Sequence, residues 1–429
     1  MQTGLEWLGD KVTDGISWAD DQLDAGAQWV NNAVDTASDW VGDQAAAGAD
    51  WLANRATDAA NLFTSIGSDI YGFVAPRVQA VLPALDRFVD GLGIAASQWT
   101  QLFTEGRVPQ LSEVLASGAI VLGTGTGVIW NAFSGKDNKL LDPGTPTARE
   151  PVPVGSNAAP ITDFKSLTQA TMDVYGDDKG IRVSAVTGAD GVTRYIVNIP
   201  GTESGGVEKL SSWQENTNGR NWSANLYAMA QGSSSTNAQA VQLAMQNAGI
   251  PPGAEVLLTG HSQGGLVASN LAADPSFDYN VKGIVTYGSP VQCADFPPGS
   301  DIPVLSINHG NEVTWTLGPG LVPMPVLTQI GDIVPQTDFG GAIAWPIPLP
   351  LPNGPGGNIT TIDLPAVGPN YFDMRANHEQ VGYINSLNNA TTAQQQQTIA
   401  NFENTAGLSN FYQGPGTTTT SVYVGYGGK

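Results

Sequence analysis

Hydrophobic and polar positions over the first 70 residues recur every eleven. Trp7, Trp18, Trp29, Trp40 and Trp51 hold one column of this repeat, and Leu62 continues it. Eleven residues make three turns at about 3.67 residues per turn, so each column keeps its place on a helix. Counted from Leu5, the first, fourth, eighth and eleventh columns are mostly Leu, Ile, Val, Ala or Gly and form one stripe. Trp runs along its edge, and Asp, Asn and Glu fill the opposite side. The pattern predicts amphipathic helix, broken in places at glycine. Such a stripe serves either as the core of a helical bundle or right-handed coiled coil, or as a face lying on a lipid surface with Trp at the polar boundary. Gly9, Gly15, Gly26, Gly42 and Gly48 each weaken a helix in water by roughly 1 kcal/mol relative to Ala, which favours support from a surface. Twelve acids against two bases over residues 1–70 argue against an anionic membrane.

Residues 71–110 continue the helical period, with breaks expected at Pro76 and Pro83. Residues 114–134 carry no charge over 21 positions. That length suits a bilayer span, and its Gly content equally suits a buried helical hairpin. Pro143, Pro146, Pro151, Pro153 and Pro160 mark residues 137–160 as an extended linker. The chain therefore divides into an amphipathic helical region (1–110), an apolar Gly-rich segment (111–136), a Pro-rich linker (137–160) and a catalytic domain (161–429). The C-terminal GPGTTTTSVYVGYGGK reads as a weak strand or a loose tail.

Candidate chemistry sits where the pattern changes from strand to helix. EVLLT (255–259) is a short apolar strand, Gly260-His261-Ser262-Gln263-Gly264 follows, and GLVASNLAAD has a helical period. A strand, Gly-x-Ser-x-Gly and a helix make the context in which this motif is informative, and the fold it points to is α/β. So tight a turn needs small flanking residues. It lifts the Ser262 hydroxyl above the sheet and aims backbone N–H groups at the same point, with Gln263 N–H as one oxyanion donor. A serine hydroxyl needs a general base, and the chain has three histidines. His261 lies inside the motif, with its side chain directed away from the hydroxyl. His309 ends the strand VLSINH, too early for the serine, acid, histidine order of this fold. His378 follows everything else, just before a helix, and is the expected base; the other two read as hydrogen-bonded structural histidines. Two acids compete to orient it. Glu312 comes directly after VLSINHGN, and Asp332, the preferred one, follows an apolar excursion over 313–330 that serves as a lid or a core hairpin. Asp338 and Asp363 read as loop or turn residues.

Composition narrows the partners. A net charge of −22, from 39 acids and 17 bases, repels phosphate backbones, which sets nucleic acid aside. Cys293 is the single cysteine, so no intrachain disulfide forms, and no metal or cofactor is called for. MQTGLEWLGDKV lacks a basic segment followed by an apolar one. The expectation is a chain without a cleaved signal, either cytoplasmic and associated with lipid surfaces or exported by a signal-independent route.

Ile199-Pro200-Gly201-Thr202, Gly260-His261-Ser262-Gln263-Gly264, Thr286-Tyr287-Gly288-Ser289-Pro290, Asp332-Ile333-Val334-Pro335 and His378 occur in that order. Over roughly residues 160–390 this series resembles the class-three (fungal-type) lipases and similar actinobacterial serine hydrolases. The resemblance implies an α/β-hydrolase domain with a mainly parallel sheet, acting on acylglycerols, phospholipids or related lipid esters. It also implies that Thr202 supplies the second oxyanion donor. Pro200 departs from the family, which usually has Arg or a similar residue before Gly-Thr. Asn308-His309-Gly310-Asn311-Glu312 stands where the family acid falls by spacing, so both acids stay open. The first 150 residues lie outside the resemblance. The expected function is thus a serine ester hydrolase on lipids, with residues 1–134 contacting a lipid surface. The competing reading is a hydrolase effector whose N-terminal helices form a protein-interaction or export module.

Overall fold

The computed structural model describes residues 68–155, 158–176, 179–203, 209–214, 219–317, 323–342, 358–367 and 374–428. The Trp repeat lies outside the described residues. The chain forms two units, Met1–Val78 and Gln79–Lys429, and the first is described only from Ser68. Helix α1 spans Ser68–Thr104 and α2 spans Leu111–Ser134. Breaks at Pro76 and Pro83 do not occur, because α1 runs through both. Each proline removes one ladder hydrogen bond, and from Gln79 onward packing along one face compensates. Ala80, Ala84, Arg87 and Gln98 are buried.

From Gln79 onward α1 lies antiparallel to α2. Asn131 donates to the carbonyl of Ala80 at 2.7 Å, and Ser117 donates to the Gln98 side chain at 2.9 Å. The uncharged stretch is therefore a single helix, one arm of a hairpin, rather than a hairpin in itself. Glu113 accepts from Gln110 N–H at the start of α2, and Gly135 ends it in the left-handed conformation. Ala116, Ile120, Thr124, Gly127 and Asn131, spaced three or four apart, make its buried stripe. Its outer face carries Leu115, Leu122, Ile129, Trp130 and Phe133, with Leu122 75% and Phe133 79% exposed. By length and composition α2 could cross a bilayer, yet protein occupies its buried stripe.

The Pro-rich stretch is packed rather than free. Arg87 bonds Asp137 and Asp142 at 2.5 and 3.3 Å, and Tyr227 donates to the carbonyl of Leu141. Strands β1 (Pro146–Ala148) and β2 (Val152–Pro153) follow. Then come α3 (Phe164–Met172), β3 (Ile181–Thr187), β4 (Thr193–Ile199), α4 (Trp222–Gln231), α5 (Thr236–Asn247), β5 (Glu255–His261), α6 (Gln263–Ala273), β6 (Asn280–Tyr287) and β7 (Pro303–His309). Beyond them lie β8 (Glu312–Leu317), β9 (Pro323–Gln329), β10 (Asn358–Leu364), α7 (Met374–His378), α8 (Gln380–Asn389), α9 (Ala393–Ala406), β11 (Thr418–Val424) and β12 (Tyr426–Gly428).

The fold is α/β, built on an eight-stranded mixed sheet in the order β10-β7-β6-β5-β4-β3-β11-β2. Strands β4, β5, β6, β7 and β10 run parallel, whereas β3, β11 and β2 join antiparallel. The C-terminal stretch is thus a sheet strand, and β12 pairs with β1. Strand β5 reads as one apolar run because both its faces are covered. Val256 and Leu258 pack in the core that includes α5 and α6, while Leu257 packs in the core that includes α3, α8 and α9. The apolar excursion is a separate hairpin of β8 and β9. Its ends meet: Asp332 N–H donates to the carbonyl of His309, and Gly331 N–H to the side chain of Asn311.

The two faces of α2 give opposite expectations. Ile120→Ala, at a fully buried position, should cost about 2–4 kcal/mol in urea unfolding. Leu122→Ala should change stability by less than about 0.5 kcal/mol.

Candidate active site

The sharpest constraint on the backbone lies between β5 and α6. Ser262 has φ 57° and ψ −123°, a combination that costs a residue with a side chain about 1–3 kcal/mol. The flanking glycines make the turn possible. A Cβ on Gly264 would lie 2.1 Å from the carbonyl oxygen of Ile199, and one on Gly260 would lie 2.3 Å from Gly264. Ser262 N–H donates to the carbonyl of Tyr287 at 2.8 Å, which ties the turn to β6. Gln263 begins α6, so its N–H has no partner within the helix.

Three side chains from separate segments meet here. Ser262 Oγ lies 2.9 Å from His378 Nε2, and His378 Nδ1 lies 2.7 Å from Asp332 Oδ2. The carboxylate fixes the tautomer: Nδ1 carries the hydrogen and Nε2 accepts from the serine hydroxyl. Asp332 is 1% exposed. It also accepts from Tyr383 Oη at 2.7 Å and from Val334 N–H at 2.9 Å. Three donors thus hold a buried charge that would otherwise be costly. The acid beside His378 is Asp332. Glu312 opens β8 opposite Gln329, at the foot of the hairpin.

Gly201 and Thr202 follow β4, against the serine turn. A Cβ on Gly201 would lie 2.8 Å from Ser262 Cβ, so glycine is what allows the approach. Thr202 Oγ1 accepts from the Asn225 side chain at 3.0 Å, which leaves its own hydroxyl hydrogen free to turn elsewhere. Glu203, next in the chain, pairs with Arg220 at 2.8 Å. Asp338 accepts from the N–H groups of Gly340 and Gln292, and burial pushes its carboxyl up to about 6. Asp363 lies on edge strand β10, away from His378 in the hydrogen-bond pattern. Cys293 is buried. Among the described residues no group of three or more His, Cys, Asp or Glu side chains is placed to hold a metal ion.

Sequence reasoning did not find Tyr383, Asn225 or Tyr175. Tyr383 stands five residues after His378, one turn into α8, with no motif to mark it. Tyr175 Oη lies 2.5 Å from His261 Nδ1 and accepts from Gly201 N–H at 2.8 Å. Neither partner is near it in sequence.

Two histidines carry a pH signature. Burial first, then repulsion from His378, holds His261 well below its ordinary value, and burial lowers His309 as well. Their folded pKa values lie below the unfolded value of about 6.5. The stability that they contribute is therefore complete above pH ~6.5 and is lost as pH falls toward the folded values. Each uncompensated proton steepens the loss by up to about 1.4 kcal/mol per pH unit. Urea unfolding should thus give lower stability at about pH 5.5 than at pH 7.5, with a shallower decline for His309→Asn.

No family model, no curated protein and no solved structure matches this chain.

Proposed function

We propose that the protein is a serine ester hydrolase of the α/β-hydrolase type, with lipid esters as its substrate class. One observation carries the reading: Ser262, on a strained backbone, is in hydrogen-bond reach of a histidine whose other nitrogen meets a buried carboxylate. Nucleophile, acid and base stand in the order serine, acid, histidine along the chain, Ser262 and Asp332 beyond the C-terminal ends of strands and His378 at the end of α7.

His378 Nε2 takes the proton of Ser262 as Oγ attacks the ester carbonyl. The developing oxyanion is held by the N–H of Gln263 and by Thr202, with Asn225 fixing the Thr202 side chain. His378, now protonated and stabilised by Asp332, gives its proton to the leaving alcohol. Water then attacks the acyl carbon and loses a proton to His378; the bond to Ser262 Oγ breaks, the acid leaves, and His378 returns the proton to Oγ. The exposed row Leu115, Leu122, Ile129, Trp130 and Phe133 supports the lipid part of the reading. It is uncharged and large side chains dominate it, as on helices that rest at an apolar boundary.

The test is hydrolysis of 4-nitrophenyl esters across acyl lengths. Ser262→Ala should lower kcat at least about 10,000-fold and Asp332→Asn about 1,000- to 10,000-fold, whereas Glu312→Gln should stay within about threefold of the parent. Ester turnover that survives Ser262→Ala unchanged defeats the reading. Leu122→Asp with Phe133→Asp should reduce the rate on an emulsified long-chain ester at least about tenfold and leave a dissolved short-chain ester unaffected. Equal effects on both substrates would remove lipid contact from the account.

A further inference from the structure

We infer that His261 and His309 are positioning residues for His378, each gripping one of two consecutive backbone carbonyls at the end of α7, the short helix that carries the base. This rests on the reading of His378 as the general base. His309 Nδ1 lies 2.6 Å from the carbonyl oxygen of Asn377, and His261 Nε2 lies 2.8 Å from the carbonyl oxygen of His378 itself. A carbonyl only accepts, so each of those nitrogens carries a hydrogen. The opposite nitrogens are then acceptors. His309 Nε2 takes a hydrogen bond from Ser386 Oγ at 2.9 Å, and His261 Nδ1 takes one from Tyr175 Oη at 2.5 Å. Both rings are neutral, and they hold opposite tautomers.

The grips come from two different strands, β5 and β7, each paired on both sides within the sheet. Tyr383 lies between them. Its ring is 4.3 Å from that of His309 and 5.8 Å from that of His261, and its hydroxyl bonds Asp332. His261 also lies 4.9 Å from the His378 ring, so a charge on it would oppose the imidazolium that catalysis requires. The groups facing His261 are Tyr175, His378, Tyr383 and, further off, His309; those facing His309 are Asn377, Ser386, Tyr383, Asp332 and His378. The low-pKa directions of both histidines agree with this neutral arrangement. His261 reaches further still. Tyr175, which donates to it, accepts from Gly201 N–H. One chain of hydrogen bonds therefore joins the backbone beside Thr202 to the backbone of the base.

A histidine that grips through Nε2 is mimicked by glutamine, and one that grips through Nδ1 by asparagine, since the amide nitrogen reaches a similar point. In the full-length chain, His261→Leu and His309→Leu should each lower kcat for a soluble ester about 10- to 100-fold, with KM changed less than about twofold. His261→Gln and His309→Asn should recover most of that loss. Leu variants that fold and retain full kcat overturn the inference, as does equal loss in the leucine and amide variants. Nitrogen-15 NMR of the histidine-labelled parent gives a second readout that does not depend on turnover. It should show His261 protonated at Nε2 and His309 protonated at Nδ1 at neutral pH, with both rings titrating below the ordinary histidine value of about 6.5. The reverse tautomer, or titration near 6.5, overturns it even if every variant unfolds. If the parent hydrolyses no ester, the hydrolase reading fails, and the tautomers still decide whether the grips exist.

Discussion

The backbone of Ser262 sits in a conformation that residues with side chains avoid, and everything around it exists to hold that turn. Two glycines remove the Cβ atoms that would collide with Ile199 and Gly264, and the strand next door accepts the Ser262 amide. The energy for this comes from the sheet. Strand β5 is buried on both faces between two apolar cores, and burial at roughly 25 cal/mol per Å² over several large side chains outweighs a strain of about 1–3 kcal/mol. A turn of this kind puts the hydroxyl at the carboxyl end of a central parallel strand, where sheets of this class open toward ligands.

Every other group in the site is placed by its distance from that fixed point. His378 comes from the end of the short helix α7 far along the chain, Asp332 from the loop after a hairpin, Gly201 and Thr202 from the end of β4. Loops alone would hold such side chains loosely. Here the partners are many: buried Tyr383 and half-buried Val334 on the acid, half-buried Asn225 on Thr202 and Tyr175 on Gly201. Buried polar groups are costly when unpaired, so a network in which each donor has its acceptor defines one arrangement and penalises its neighbours.

The outer helices answer to a different constraint. Helix α2 presents a buried stripe of small and polar residues to α1 and the domain, and large apolar side chains to the outside. This inverts the usual order, in which the largest apolar groups are innermost. Small residues permit close approach: a Cβ on Gly91 would lie 3.2 Å from Ile120, and one on Gly125 would lie 3.3 Å from Phe88. Close helix contact is thereby achieved with Ile120 as the large apolar side chain of the stripe, while Leu115, Leu122, Ile129, Trp130 and Phe133 stay exposed.

The sequence alone carried what depends on local chemistry. Gly-x-Ser-x-Gly between an apolar run and a helical period marked the turn, because only small residues fit there. Chain order separated His378 from the other histidines. The uncharged length of α2 was plain from composition. What the sequence could not decide depended on where distant segments return. Asp332 and Glu312 were both reasonable by spacing; the closing of the β8–β9 hairpin, which pairs Glu312 with Gln329 at its foot and Asp332 N–H with His309, put one of them on His378. Pro76 and Pro83 looked like helix ends and are not, since α1 runs through both; around Pro83 the buried side chains of Ala80, Ala84 and Arg87 offset the lost ladder bond. The Pro-rich stretch looked like a tether, yet ion pairs to Arg87 and pairing with β11 and β12 fasten it. Tyr383, Tyr175 and Asn225 left no trace in the linear pattern, since a hydrogen-bond partner is specified by position in space and not by spacing along the chain.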